Sequence, residues 1–117
     1  LRQAIISDGC IISDAHLERS VIGIRSVIQS GATIRNSIVM GADYFELGPT
    51  DSSQPAMGIG KNCVIDRAII DKNARIGDGV VITPEGKSQN LDADNYFIRD
   101  GIVVVPKNAV IPAGFWI

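Results

Sequence analysis

Three lysines of this chain occur in the same local context, each directly before a small corner-forming residue. Lys61, Lys72 and Lys107 precede asparagine in the segments "GKNCVI", "DKNARI" and "PKNAVI". An ammonium group binds phosphate or carboxylate as a point charge, so lysines that meet at one place can form an anion site. A neighbouring carboxylate such as Asp71 can hold an ammonium group in position. The pattern therefore predicts either an anion site or a set of separate, solvated lysines.

Other kinds of chemistry have little support in the sequence. The chain has 1 histidine and 2 cysteines, too few for a zinc site made only of these residues. His16 falls at a place that favours a core or corner side chain over a catalytic base, and no phosphate-binding glycine loop is found. Cys10 and Cys63 are expected to be free thiols in apolar surroundings.

Composition limits the classes of partner. The 11 Lys and Arg against 13 Asp and Glu give a formal net charge of −2, which argues against binding to nucleic acid or an anionic membrane. We find neither a signal peptide nor an apolar run long enough to span a membrane. The chain starts without methionine, so we expect it to be part of a longer protein.

Aliphatic residues recur at an interval of six, which neither a helix nor an alternating strand produces. Hydrophobic residues make up 45% of the chain and aromatic residues only 5%, so isoleucine and valine, which favour strands, dominate the apolar content. The interval is five only between Ile65 and Ile70. The recurring positions are Ile6, Ile12, Ile22, Ile28, Ile34, Ile59, Ile65, Ile70, Ile76, Ile82, Val105, Ile111 and Ile117.

The fourth residue of each six-residue unit gives a second regularity. Glycine or asparagine occupies this place in 7 of 11 units, and these residues tolerate a left-handed backbone conformation. A short strand, a corner and another strand of equal length predict an all-β solenoid. Three units make a triangular coil of 18 residues, and four or five coils rise roughly 20–24 Å at the usual strand spacing.

Two segments interrupt the repeat and are predicted to be inserted loops, residues 41–58 and 83–101. Each is rich in polar residues and glycine or proline and contains an aromatic pair, Tyr44 and Phe45 in the first and Tyr96 and Phe97 in the second. Long connections of this kind have packing or binding roles. The aromatic pairs either anchor another surface or fold back over the solenoid wall.

Several segments resemble one enzyme family over essentially the whole chain. The motifs "MGADYFE", "IDKNARIG" and "VPKNAVIP" are similar to the C-terminal domain of ADP-glucose pyrophosphorylase (glucose-1-phosphate adenylyltransferase) of the cyanobacterial and plant type. The resemblance implies a single domain over residues 1–117 with the fold of a left-handed parallel β-helix, the hexapeptide-repeat solenoid. The left hand comes from the resemblance alone.

The resemblance also implies a function for the parent protein. That enzyme joins ATP and glucose 1-phosphate, with Mg²⁺, to give ADP-glucose and pyrophosphate for glycogen or starch synthesis. Catalysis lies in an N-terminal domain that this chain does not match, so we expect the chain alone to be inactive and to carry no cofactor. The β-helix domain helps to build a homo- or heterotetramer, contacts the catalytic domain and binds an anionic effector resembling 3-phosphoglycerate. The implied location is the cytoplasm, or the plastid stroma for a plant protein.

The family's activator-linked lysines match Lys72 and Lys107, and Asp71 matches the acidic neighbour of the first. We add Arg67 and Arg75 because they lie near these residues in the sequence. No catalytic residue and no metal ligand is predicted in this chain. Two other functions remain open, a purely structural assembly module with solvated lysines and a hexapeptide-repeat acyltransferase.

Overall fold

The computed structural model describes residues 2–45 and 55–117, and in this part of the chain the secondary structure consists of strands and turns. Most strands have two or three residues because each side of the coil is short. Fifteen strands follow in chain order: β1 (Arg2–Ile6), β2 (Ile11–Ile12), β3 (His16–Ile22), β4 (Val27–Ile28), β5 (Thr33–Arg35), β6 (Ile38–Val39), β7 (Gly58–Ile59), β8 (Val64–Asp66), β9 (Ala68–Ile70), β10 (Arg75–Ile76), β11 (Val81–Ile82), β12 (Leu91–Asp92), β13 (Phe97–Arg99), β14 (Ile102–Val105) and β15 (Val110–Ile111).

Parallel pairing arranges these strands into three faces of a prism. The first face contains β2, β4, β7, β10 and β15. The second face contains the start of β3 with β5, β8 and β11, and the third contains β1, the end of β3, β6, β9 and β14. Strand β3 passes around a corner between two faces, with Arg19 at a φ of 46°. The prediction of a parallel β-solenoid is confirmed.

The core consists of three stacked columns of aliphatic side chains, one behind each face. Nearly all the recurring aliphatic residues of the sequence are buried in these columns. Ile6, in the first coil, is 39% exposed, and Ile12 is partly buried. Buried aliphatic residues of neighbouring coils lie in register, for example Ile59 with Ile76.

The predicted coil length of 18 residues is wrong. Ile59 pairs with Ile76 and Ile65 with Ile82, 17 residues apart, whereas Ile6 pairs with Ile22 and Ile12 with Ile28, 16 residues apart. Where no insertion intervenes, the corner from the second face to the third takes a step of five, as between Ile65 and Ile70. A strict interval of six therefore missed two core residues, Leu17 and Val39, which are 0% and 4% exposed.

The left-handed corner residue identifies the length of each step. Counting the buried aliphatic residue as the first place, steps of six have positive φ at the fourth place and steps of five at the third. The six-residue steps have it at Gly9, Arg25, Gly31, Asn62, Asn73, Gly79, Asn108 and Gly114. The five-residue steps have it at Asp14, Arg19, Asn36 and Arg67.

The segment predicted as the second inserted loop contains a hairpin. Strands β12 and β13 pair antiparallel, and β13 continues antiparallel onto β14. Asp100 and Gly101 make the tight turn between β13 and β14 with φ of 52° and 77°, and both positive values suit the twist of a two-residue hairpin connection. The insertion thus extends the sheet of the third face beyond β14, and its Ile98 is 0% exposed.

The two aromatic pairs differ in their surroundings. Tyr96 packs against the core, and the guanidinium of Arg99 lies 5.1 Å from the ring centre of Phe97. This pair therefore folds back over the solenoid wall. Tyr44 and Phe45 are 54% and 40% exposed at the start of the first insertion. Residues 46–54 of that insertion lie outside the described residues.

The described residues contain no helix with the length and hydropathy needed to cross a membrane. Cys10 and Cys63 are both free thiols, as predicted. Each thiol donates to a backbone carbonyl, that of Gly23 and that of Gly77 respectively. Burial raises the pKa of the Cys63 thiol.

Candidate functional site

Lys72 and Lys107 lie on successive coils at one edge of the prism, where the third face turns into the first. We call this the lysine edge, formed by residues 7–10, 23–26, 41–43, 71–74 and 106–109. Asn73 and Asn108 make equivalent corners with a φ of 63° each, and the amide of Asn108 donates to the carbonyl of Lys72 at 3.0 Å. The repeat therefore places the two lysines one coil apart.

Asp43 joins the two lysines. Its Oδ1 lies 3.4 Å from Lys72 Nζ and its Oδ2 lies 3.5 Å from Lys107 Nζ. The three side chains are 40–53% exposed, so each ion pair is accessible to solvent. Two ammonium groups thus converge on one carboxylate at the surface.

Asn73 fixes the position of Asp43 through two hydrogen bonds. The Asn73 side chain donates from Nδ2 to Asp43 Oδ2 at 3.0 Å and accepts the Asp43 amide at 2.9 Å. The hydrogen bonds from Asn73 and Lys72, together with the nearby charge of Lys107, hold the pKa of the Asp43 carboxyl below its usual value of 3.8. Asp43 is therefore ionised throughout the physiological range.

Asp71 has a local role at this edge. Its Oδ1 accepts the backbone amide of Lys72 at 2.7 Å, which closes the turn that presents the lysine. Asp71 also lines a cavity of about 420 Å³ between the ends of the first insertion, whose walls include Arg25, Phe45 and Met57. This cavity is mostly apolar and lies beside the lysine edge.

The remaining candidate residues do not join the two lysines. Arg75 lies on β10 of the first face, next to the edge, and its Nη1 donates to the carbonyl of Pro55 at 3.1 Å. Arg67 makes the corner between the second and third faces and pairs with Asp66 at 3.0 Å and with Glu85 at 3.9 Å. Arg67 is close to Lys72 in the sequence but not in space, because the chain crosses the third face between them and Lys72 lies on another edge.

Lys61 is also separated from the pair, although its local sequence is the same. It precedes the corner of Asn62 between the first and second faces, and its carbonyl accepts the amide of Gly79. His16 is exposed at the start of β3, with its Nε2 3.5 Å from Glu18 Oε2. The prediction of a core or corner histidine is wrong because the step from Ile12 to Leu17 has five residues.

Sequence reasoning missed Asp43, although the motif that contains it was recognised. The signal lies in "MGAD", because Gly41 has a φ of 95° and a side chain there would collide with the carbonyl of Ile24. Such a glycine marks a corner packed tightly on the previous coil. Within residues 2–45 and 55–117, no group of three or more His, Cys, Asp or Glu side chains is arranged to hold a metal ion.

Comparison with known proteins identifies what this chain is similar to. Residues 1–116 match the model of the GLGC left-handed parallel beta-helix domain, in agreement with the predicted hand. A protein of Triticum aestivum named glucose-1-phosphate adenylyltransferase small subunit, chloroplastic/amyloplastic is 44% identical over 118 residues, which cover 95% of this chain and 25% of that protein. A protein of Zea mays named glucose-1-phosphate adenylyltransferase small subunit is 44% identical over 119 residues, which cover 95% of each. The chain thus spans about a quarter of the wheat protein.

Proposed function

The chain belongs to the family of the GLGC left-handed parallel β-helix domain, and from this premise we propose that it is the effector-binding, non-catalytic domain of a glucose-1-phosphate adenylyltransferase. The parent enzyme forms ADP-glucose and pyrophosphate from ATP and glucose 1-phosphate. The catalytic residues and the Mg²⁺ site belong to a separate N-terminal part of that enzyme. The location that follows is the plastid stroma or the cytoplasm.

One observation supports an effector site above all others, the meeting of Lys72 and Lys107 on the lysine edge. Two ammonium groups within 3.5 Å of one carboxylate form an exposed cluster of net positive charge that suits a phosphate or carboxylate ligand. An effector held there acts on the enzyme only if it binds the active arrangement more tightly than the inactive one. Asp71 supports this role by shaping the turn before Lys72.

The experiment uses the full-length enzyme that carries this domain. Replacement of both lysines, Lys72→Ala with Lys107→Ala, is expected to raise the 3-phosphoglycerate concentration needed for half-maximal activation by on the order of tenfold or more. The activity without effector stays near that of the unmodified enzyme. Activation kinetics at fixed ionic strength measure the effect.

Lys61→Ala is the matched control, because this lysine has the same sequence context but lies on another edge. It is expected to leave activation unchanged. Unaltered activation in the double variant would refute the effector site, and an equal loss in the control would assign the effect to general surface charge.

A second candidate function, assembly, is supported by an apolar row on the outside of the third face. Ile5, Val21 and Ile38 are paired in register on successive strands and are 67%, 39% and 44% exposed. The row continues through Ile69 to Val104. Uninterrupted exposed apolar rows of this kind are typical of protein contact surfaces.

Sedimentation of the full-length enzyme tests the assembly role. A lysine on the outward row, Ile38→Lys, is expected to shift the protein to smaller assemblies, since a charge in an apolar contact is costly. Thr33→Lys, an outward position of the second face, is the control. Identical sedimentation of all three proteins would argue against a role for the third face in assembly.

A further inference from the structure

Asp43 occupies the position between Lys72 and Lys107 that an incoming anion needs. Each carboxylate oxygen faces a different ammonium group, at 3.4 Å and 3.5 Å. A bridging phosphate would use the same two donors with two of its oxygens. The protein therefore supplies its own anion to the proposed site.

The carboxylate is held by the coils as well as by the lysines. Asn73 bonds both the amide and the carboxylate of Asp43. The preceding residues are fixed in the corner stack, because the amide of Ala42 donates to Ile24 and the amide of Asn73 donates to Gly41. Asp43 thus stays beside the lysines without help from a ligand, and its effective concentration there is high.

The two ion pairs remain open to exchange with a ligand. The Asp43 side chain is 42% exposed and those of Lys72 and Lys107 are 40% and 53% exposed, a range in which single ion pairs are weak. With Asp43 ionised, the three side chains carry a net charge of +1 instead of +2. A singly charged anion gains little binding free energy from a cluster with this reduced charge. A phosphate dianion is attracted more strongly, because its two charges can interact with both lysines.

We propose that Asp43 is an internal competitor that sets the affinity and the charge selectivity of the lysine edge. The inference rests on the proposed function and specifies how that site is regulated. A ligand must displace the Asp43 carboxylate from the two ammonium groups or share them with it. The site therefore rejects common monovalent anions and accepts multiply charged phosphate compounds.

The test is calorimetric titration of the 117-residue chain with inorganic phosphate at low ionic strength. Asp43→Asn keeps the shape of the side chain, and its amide oxygen can still accept from Asn73. Removal of one negative charge beside the ligand is expected to tighten phosphate binding by on the order of tenfold, a gain that shrinks as added NaCl screens the charges. The preference for phosphate over chloride is expected to fall in the same variant.

Asp94→Asn is the matched control, because it makes the same chemical change at an exposed residue of the second insertion. Tighter binding in Asp43→Asn but not in the control supports the inference. Equal or weaker phosphate binding in Asp43→Asn overturns the inference. The anion site itself stands in that case if the wild type binds phosphate and the Lys72→Ala and Lys107→Ala changes abolish this binding. Absence of phosphate binding in both the wild type and Asp43→Asn would overturn the anion site as well.

Discussion

Asn73 is the residue on which the corner and the candidate site both depend. Its φ of 63° is a conformation that asparagine tolerates better than most side chains. Asn73 is 8% exposed, and its side-chain amide makes two hydrogen bonds to Asp43. The Asn73 side chain thus shapes the turn after Lys72 and positions the Asp43 carboxylate between Lys72 and Lys107.

Replacement of Asn73 separates these two roles. Asn73→Ala is expected to lower the free energy of unfolding by about 1–3 kcal/mol, because it loses two hydrogen bonds and strains the corner. Asn73→Gly keeps the corner conformation and should lose only part of that free energy. Chemical denaturation measures both variants, and equal losses would mean that the backbone conformation contributes nothing.

The lowered pKa of Asp43 makes its contribution to stability depend on pH. A carboxyl with a folded-state pKa below its unfolded value of 3.8 stabilises the fold above that pH and loses this contribution as the pH falls through the folded-state pKa. The stability difference between wild type and Asp43→Asn is therefore expected to be constant near neutrality and to shrink below pH 3.8. Urea denaturation from neutral to acidic pH measures it. A difference that grows on acidification would contradict the assigned ion pairs.

At the scale of elements, the hairpin of β12 and β13 shows how an insertion can extend the solenoid. Strand β13 pairs antiparallel with β14 and buries Ile98, and β12 pairs antiparallel with the other side of β13. The two-residue turn that joins β13 to β14 has positive φ at Asp100 and Gly101. The hairpin covers an edge that would otherwise present unpaired backbone groups.

A side chain at Gly101 is expected to weaken the pairing of β13 with β14. A Cβ there meets nothing within 4 Å, so the cost of Gly101→Ala comes from its φ of 77° and amounts to about 1 kcal/mol. Gly86→Ala, with a similar φ of 74° and equally open surroundings, is the control because no strand pair flanks it. Amide exchange of Phe97–Arg99 should accelerate only in Gly101→Ala, and unchanged exchange would show that the turn does not hold the hairpin.

At the scale of the whole molecule, the solenoid is a stack in which each coil contacts only its neighbours. Terminal coils of such stacks lack one neighbour and open more readily than the middle. In the first coil the inward residue Ile6 is 39% exposed and Ile12 is only partly buried, whereas Ile65 is 0% exposed. Among the described coils of this chain, the first is thus the least protected.

Hydrogen exchange of this chain should follow the same order. Amides of β1 and β2 are expected to exchange fastest among the strands, and those of β5, β8 and β9 slowest, because the latter lie between complete coils. Mass spectrometry of peptides from each coil measures the rates. Equal protection of β1 and β8 would mean that the molecule opens only as a unit.

The sequence by itself determined the class of fold and indicated one pair of candidate site residues. The recurrence of isoleucine and the glycine or asparagine corners predict the solenoid, since each step needs one inward aliphatic side chain and one left-handed residue. The resemblance of "IDKNARIG" and "VPKNAVIP" to one family singles out Lys72 and Lys107 from Lys61, which has the same local context. These are local properties that a repeat encodes in its own residues.

Only the tertiary structure decided which corners share an edge. Lys61 and Arg67 look equivalent or close to Lys72 in the sequence, yet steps of five and six residues carry them to other edges. Asp43 reaches the lysines across an insertion that breaks the repeat, because the carbonyl of Gly41 accepts the amide of Asn73 in the next coil. Stacking between coils depends on the sum of all intervening steps, and local sequence does not fix that sum.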